Sequence, residues 1–257
     1  MTDYTSARAK LSRAEEHLGA LEAELLAWFA TEPLDAIPGT KVGDTEPWHI
    51  RISTPLPGRL SLIAGDCLHN FRCVLDHIAM ALAVANGASP DDRTVAFPIC
   101  NSADAFAKAK SINALRQDGR NFIESVQPYR MAGARALIEL NHLDNKDKHR
   151  FVLQNRLEGL ATFEAHSPGV RIDYAPGLQL EDGAHYATVT YPPGYSGPQE
   201  KPNLSAGICV ERSNGVGFLE LQRYLRQELL PLVQDKVLAE AERCYPPCNM
   251  TMRRHTF

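Results

Sequence analysis

The stretch GDCLHNFRCVLDH, residues 65–77, contains the most informative pattern in this chain, and it predicts an amphipathic helix. Successive residues of an α-helix advance by about 100° around its axis. The large apolar residues of this stretch and its continuation therefore fall within an arc of roughly 80°. They are Leu68, Phe71, Leu75, Ile78 and Leu82. This arc is expected to face the protein core.

The opposite face of the predicted helix carries residues suited to chemistry. A solvated helix face is usually filled with Lys, Glu, Gln and Arg. This face instead holds two histidines, two carboxylates, an amide, a thiol and a thioether, on Asp66, His69, Asn70, Cys73, Asp76, His77 and Met80. We expect it to be covered by a second layer of protein or by a ligand.

A second polar cluster, NHLDNKDKHR at residues 141–150, begins in the last turn of a helix predicted over residues 131–143 and continues beyond its end. We expect a loop here, between the end of that helix and a strand, because such junctions hold side chains on rigid supports while leaving them reachable. The alternative is a solvated, helix-terminating loop whose Lys and Arg complement the helix dipole. The two polar clusters are expected to converge on one pocket.

The spacing of apolar residues predicts the fold class. Helical periodicity marks residues 5–30, 60–85, 131–143 and 218–243, with short helices at 102–115 and 119–126 and a short strand at 48–52. From residue 151 the period changes, and strand-like segments follow up to residue 210. We therefore expect an α+β, mainly helical fold: a helix bundle region over residues 1–150 carrying both polar clusters, then an antiparallel sheet of four or five strands and a C-terminal helix over residues 151–257.

Composition narrows the function classes. The 257 residues are 44% hydrophobic and 23% charged, with a formal net charge of −4, so any nucleic-acid partner must be held by a local basic patch. No basic N-terminal region precedes an apolar run, and no apolar run approaches the roughly 18 residues of a membrane span. Six scattered cysteines without a disulfide pattern favour a reducing cytoplasm.

The N-terminal helix has an apolar stripe that permits two interpretations. Leu11, Leu18 and Leu25 are one heptad apart, and Leu21 and Trp28 fill the interleaved positions. Either this helix packs into the core of its own chain, or it forms a homodimer.

Four strings in this chain, GDCLHNFRCVLDH, AFPIC, QPY and LNHLDNKDKHR, support a family resemblance. In this order after a long N-terminal helix they resemble a widespread family of uncharacterised bacterial proteins, common in actinobacteria, over roughly residues 5–155. That resemblance implies a grouping without an assigned activity. The matching positions are Asp66, His69, Asn70, Arg72, Asp76, His77, Asp147, Lys148, His149 and Arg150.

A more distant resemblance is to HEPN domains, which are helical bundles. In those domains an Arg followed four to six residues later by a His forms a metal-independent ribonuclease site. Arg72 and His77 have this spacing, and Cys73 stands where the pattern usually has Asn, Asp or His. On an ideal helix Arg72 and His77 lie about 140° apart, whereas Asn70 and His77 lie about 20° apart.

These observations lead to a first functional hypothesis, metal-independent cleavage of RNA or a nucleotide. Such cleavage needs a general base, a general acid and cations for the phosphorane, roles that His, Lys and Arg fill near neutral pH. No cofactor is expected. The candidate catalytic residues are His69, Asn70, Arg72, His77, Asp147, Lys148, His149 and Arg150. We expect His77 to act as base or acid with His149 as its counterpart, and Arg72, Lys148 and Arg150 to bind the phosphate.

Two alternatives remain open from the residues alone. One is a metal-dependent hydrolase, with Zn, Mn or Fe bound by ligands drawn from Asp66, His69, Asp76, His77, Asp147 and His149. The other is a non-catalytic nucleotide- or partner-binding module, in which the same polar groups form a hydrogen-bond network that fixes the register of the bundle. A thiolate nucleophile at Cys73 is conceivable, although a free buried Cys usually behaves as a small apolar residue.

Overall fold

A computed structural model describes residues 2–149, 156–159, 167–175, 180–204, 206–214 and 218–247, with the backbone alone at residues 148–149, 156–159 and 218. The fold is α+β and mainly helical, as predicted. The chain forms two compact units. The first comprises Met1–Ala20, Leu62–Leu153 and Arg223–Phe257, and the second comprises Leu21–Ser61 and Gln154–Gln222.

All regular secondary structure described in the first unit is helical. It contains most of α1 (Thr5–Phe29) and α2 (Arg59–Ala85), followed by α3 (Ala103–Ala107), α4 (Gln117–Ser125) and α5 (Ala136–His149). Both long helices, α1 and α2, confirm the predicted bounds to within one residue. None of the described helices has the length and apolar character that crossing a bilayer demands.

The predicted apolar arc of α2 forms the core of this unit. Leu68, Phe71, Leu75 and Ile78 are completely buried, and Leu82 is nearly so. Two buried tyrosines form hydrogen bonds between distant parts of the chain. Tyr4 Oη, just before α1, donates to the Ala241 carbonyl at 3.2 Å, and Tyr224 Oη donates to the carbonyl of Ala136, the first residue of α5, at 2.8 Å. A fully buried aliphatic side chain stabilises a fold by roughly 1.5–3 kcal/mol. Burial of this arc therefore fixes the orientation of α2, and with it the direction in which its polar face points.

The C-terminal helical segment begins at Leu221 and departs from α-helical to π-helical hydrogen bonding in two places. It comprises α6 (Leu221–Arg223), π-helical turns at Tyr224–Leu229 and Leu232–Leu238, and α7 (Ala239–Cys244). Pro231 lies between the two π-helical segments, where its missing N–H and its ring oppose regular α-helical bonding. The prediction of a helix from residue 218 was wrong at its start, because Phe218–Glu220 is a strand.

The prediction for α5 was wrong at both ends. Residues 131–135 form turns, with Gly133 at a φ of +87°, so the helix begins at Ala136 rather than at residue 131. It then continues through the DNKDKH residues to His149, since no Gly or Pro interrupts residues 136–149. The expected loop at residues 144–149 is therefore helical. The short helix predicted at 102–115 is reduced to α3 and a 3₁₀ turn at Lys110–Ile112.

The second unit contains two antiparallel sheets where one was predicted. The first sheet has the order β1-β2-β5-β4, formed by Leu34–Pro38, Thr45–Ile52, His185–Thr190 and Arg171–Tyr174. The second has the order β3-β6-β7, formed by Arg156–Gly159, Ala206–Glu211 and Phe218–Glu220. Strand β1 was missed because Pro33 and Pro38 resemble a turn, but an edge strand tolerates proline. Of the strand predicted at 151–157, the first five residues lie outside the described residues and the last two belong to β3. The strand predicted at 161–165 lies wholly outside the described residues.

The leucine stripe of α1 packs within its own chain. Leu11, Leu18, Leu21, Leu25 and Trp28 are all less than 9% exposed. Of the two interpretations, core packing is therefore confirmed for this stripe. A homodimer through the N-terminal helix would have to use a different face of α1.

Candidate functional site

Helices α2 and α5 meet through the residues of the two polar clusters. The Oδ1 atom of Asp144 lies 3.3 Å from Nδ1 of His69. One turn later in α5 and one turn earlier in α2, the Asp147 carboxylate lies against the backbone of Gly65 so closely that a Cβ atom there would be 2.6 Å from Oδ2. The later residue of α5 meets the earlier residue of α2, so the two helices run antiparallel at this contact.

His69 is hydrogen-bonded on both ring nitrogens. Nδ1 donates to Asp144, whose side chain is only 4% exposed, while the His69 side chain is 44% exposed. With Nδ1 as the donor, Nε2 accepts from the Cys73 thiol at 3.4 Å. A buried carboxylate on one nitrogen orients an imidazole and stabilises the positive charge that forms when the other nitrogen takes up a proton.

Asn70 and His77 share their surroundings with a lysine from α1. Asn70 is buried; its Nδ2 donates to the Asp66 carbonyl at 2.8 Å, and its Oδ1 accepts from Lys10 Nζ at 3.4 Å. Burial lowers the pKa of His77, the positive charge of Lys10 lowers it further, and the negative charge of Asp76 opposes this shift. His77 is therefore held in the neutral form at neutral pH, beside a fixed cation.

Arg72 and Asp76 hold the backbone of Phe97. Nη2 of Arg72 donates to the Phe97 carbonyl at 2.7 Å and to Asp76 Oδ1 at 2.9 Å, and the same Oδ1 accepts from the Phe97 N–H at 2.9 Å. Nη1 of Arg72 is buried without a hydrogen-bond partner among the described residues. The arginine of the Arg-x4-His spacing is thus directed into the protein, with its side chain only 13% exposed.

A buried glutamine holds the next residues of the same segment. Gln127 is completely buried; its Oε1 accepts from the Cys100 N–H at 2.8 Å, and its Nε2 donates to the Pro98 carbonyl at 2.9 Å. Nε2 also donates to the Ile123 carbonyl at 3.0 Å, near the end of α4. The FPI and QPY strings therefore have a structural role here: together with Arg72 and Asp76 they attach an irregular segment to the helices.

The predicted site residues fall into three groups. His69, Asn70 and His77 lie on the polar face of α2 beside groups from α1 or α5, and Asp147 contacts the same helix at Gly65. Arg72 and Asp76 face the Phe97 segment, and Asp66 is exposed. The backbone of Lys148 and His149 forms the last part of α5, and their side chains lie outside the described part of the chain. All of Arg150 lies outside it.

Two residues of this constellation were missed from the sequence. Lys10 was not among the candidate residues, because periodicity does not reveal which helix α1 packs against. Asp144 was assigned to a loop; had the helix been extended, its three-residue spacing from Asp147 would have placed both carboxylates on one face. No three His, Cys, Asp or Glu side chains that the structure describes are arranged to bind one metal ion.

Comparisons of this chain with protein-family models, with curated proteins and with solved structures find no match. Function is therefore inferred from the geometry around α2.

Proposed function

We propose that this protein is a metal-independent phosphodiester-cleaving enzyme that acts on RNA or a nucleotide through the polar face of α2. One observation carries the proposal. The two histidines of this face have opposite surroundings: His69 is paired with the buried carboxylate of Asp144, and His77 is kept neutral by burial and by Lys10. Paired titratable groups in contrasting environments are the arrangement that divides acid from base in many active sites.

The reaction follows from these environments. Neutral His77 takes the proton of the ribose 2′-hydroxyl, whose oxygen attacks the phosphorus and forms a cyclic phosphodiester. The bond from phosphorus to the 5′-oxygen breaks, and that oxygen receives a proton from His69, whose ring Asp144 orients. Lys10 stabilises the extra negative charge of the phosphorane. Asn70 orients Lys10 through its Oδ1.

Arg72 has a positioning role in this proposal, in contrast to its phosphate-binding role in the sequence-based hypothesis. Its hydrogen bonds to Asp76 and to the Phe97 carbonyl hold the irregular segment beside α2. His77 follows Asp76 directly on the same helix, so these bonds fix the part of α2 that carries His77. The phosphate contact is assigned to Lys10. The sequence-based assignment of Lys148 and Arg150 to phosphate binding stays a prediction, because their side chains lie outside the described residues. The resemblance to HEPN domains remains a prediction that agrees with this reaction class.

The test is RNA cleavage in the presence of EDTA by the purified full chain. Wild-type protein is expected to cleave, and His69→Gln and His77→Gln are each expected to reduce the rate by roughly 10²–10⁴-fold, the usual cost of losing a general acid or base. His185→Gln, which changes a histidine of strand β5, is the matched control. Cleavage that EDTA abolishes would favour the metal-dependent hydrolase instead.

The non-catalytic binding module is the second candidate, and the bonds of Arg72, Asp76 and Gln127 to backbone groups favour it. It predicts that no turnover occurs and that His77→Gln alters nucleotide binding or the melting temperature alone. We also propose that the protein is cytoplasmic and forms a homodimer. Light scattering of the wild-type chain at micromolar concentration tests the dimer, and a mass near 28.4 kDa would contradict it.

A further inference from the structure

Cys73 occupies the centre of the polar face of α2. Residues three and four positions apart are neighbours on a helix surface. His69 and Asn70 therefore flank Cys73 on one side, and Asp76 and His77 flank it on the other. The Cys73 side chain is half-buried, so it is shielded by these neighbours and still reachable from solvent.

The contacts of Cys73 form a chain of three residues from two helices. Its Sγ atom is 3.4 Å from Nε2 of His69, and Nδ1 of the same ring is 3.3 Å from Asp144 Oδ1. Asp144 is buried, so it holds the imidazole ring of His69 in a defined orientation. A nucleophile, a base within hydrogen-bond distance and a group that orients the base are the three parts of a nucleophilic site.

We propose that Cys73, His69 and Asp144 form a thiol nucleophile site that accepts acyl groups from activated carboxylic esters. This activity goes beyond the proposed phosphodiester cleavage, although both use His69.

The acyl transfer has two stages, acylation of Cys73 and hydrolysis of the resulting thioester. His69 Nε2 takes the thiol proton, and the sulfur attacks the ester carbonyl carbon to form a carbon–sulfur bond. The carbon–oxygen bond to the leaving group breaks, and the leaving oxygen receives the proton held by His69. Water then attacks the thioester while His69 takes a proton from it. The carboxylic acid departs, and the proton returns to the sulfur of Cys73.

Other described thiols differ from Cys73 in ways that make them internal standards. Cys67 is fully buried, and its thiol donates to the Ala14 carbonyl at 3.4 Å. Cys244 is exposed; burial of its sulfur and its contact with Glu240 raise the pKa of its thiol. An exposed thiol of raised pKa presents little thiolate at neutral pH, so Cys244 is a suitable comparison for the reactivity of Cys73.

The test uses p-nitrophenyl acetate with the full chain. Wild-type protein should release a burst of one equivalent of p-nitrophenolate per chain, and peptide mapping by mass spectrometry should find the acetyl group on Cys73. Cys73→Ser should lose the burst, and His69→Asn and Asp144→Asn should slow it, His69→Asn by roughly 10²-fold or more. Cys100→Ser is the control that should retain it.

A second measurement needs no variant. The rates at which iodoacetamide modifies Cys73 and Cys244 in the wild-type chain are compared by peptide mapping across pH, and Cys73 should react faster near neutral pH. Equal rates, or an acetyl group found on Cys244 instead of Cys73, would overturn the proposal. Because the ester burst and RNA cleavage are separate readouts, either proposed activity can fail while the other stands.

Discussion

The carboxylate of Asp147 on α5 lies directly against the backbone of Gly65 on α2. A Cβ atom at Gly65 would be 2.6 Å from Oδ2, 2.8 Å from Cγ and 2.9 Å from Oδ1 of Asp147. Such distances are shorter than van der Waals contact, so a side chain at position 65 would force the Asp147 carboxylate to move. The same contact joins the two polar clusters of the sequence.

Gly65→Ala is expected to destabilise the protein by about 1–3 kcal/mol, the usual cost of overpacking a close contact. The matched control is Gly19→Ala in α1, where the added methyl group would meet nothing within 4 Å. That change should stabilise the helix by roughly 0.5–1 kcal/mol. Urea denaturation measures both free energies of unfolding.

Removing the carboxylate should relieve part of the clash. In a double-mutant cycle, Asp147→Ala combined with Gly65→Ala is expected to cost less than the sum of the two single changes. Strict additivity of the two changes would show that the helices are not in contact at this point.

Gln127→Leu is expected to destabilise the protein by about 1–3 kcal/mol for each buried backbone group that it leaves unsatisfied. The groups at risk are the Cys100 N–H and the Pro98 carbonyl. Gln117→Leu, at an exposed position of α4, is the control and should change stability by less than about 0.5 kcal/mol. If both variants behave alike in thermal denaturation, the segment is not held by Gln127.

The long helices could be predicted from the sequence because their apolar periodicity is strong. Burial of Leu68, Phe71 and Leu75 confirmed the orientation of α2, and therefore which of its residues form the polar face. The ends of α5 could not be predicted as well. Its last turns contain Asp, Asn and Lys, which are as common in loops as at helix ends, and only packing against α2 distinguishes the two.

The candidate site was predicted only in part, for a different physical reason. Residues on one helix can be related by rotation about its axis, which brought His69, Asn70 and His77 together. Partners from other helices follow from tertiary packing, which leaves no periodic signal. Lys10 and Asp144 were missed for this reason, and Arg72 was assigned to phosphate binding although its side chain is directed to Phe97.

The stability of the protein should depend on the protonation of His77. Its pKa is lowered in the folded state, chiefly by burial and then by Lys10, whereas the unfolded chain binds the proton near pH 6.5. The unfolded state therefore holds more protons below about pH 6.5, and stability falls as the pH falls through the folded-state pKa. Above about pH 6.5 this contribution is complete and constant.

Denaturation of wild-type protein and His77→Gln over pH 5–8 measures this dependence, because glutamine does not titrate. The wild-type chain should lose stability relative to His77→Gln on acidification. Lys10→Gln should make that loss smaller, since the positive charge of Lys10 opposes protonation of His77. A stability difference that is independent of pH would contradict the surroundings assigned to His77.

Acid–base cleavage by His77 and His69 is tested with a DNA oligonucleotide that contains a single ribonucleotide. The attack needs the ribose 2′-hydroxyl, so in EDTA the wild-type chain should cut only after that ribonucleotide and leave a 2′,3′-cyclic phosphate. His69→Gln and His77→Gln should not cut it at a comparable rate. Cleavage at deoxyribonucleotides, or cleavage that both variants retain, would contradict the account.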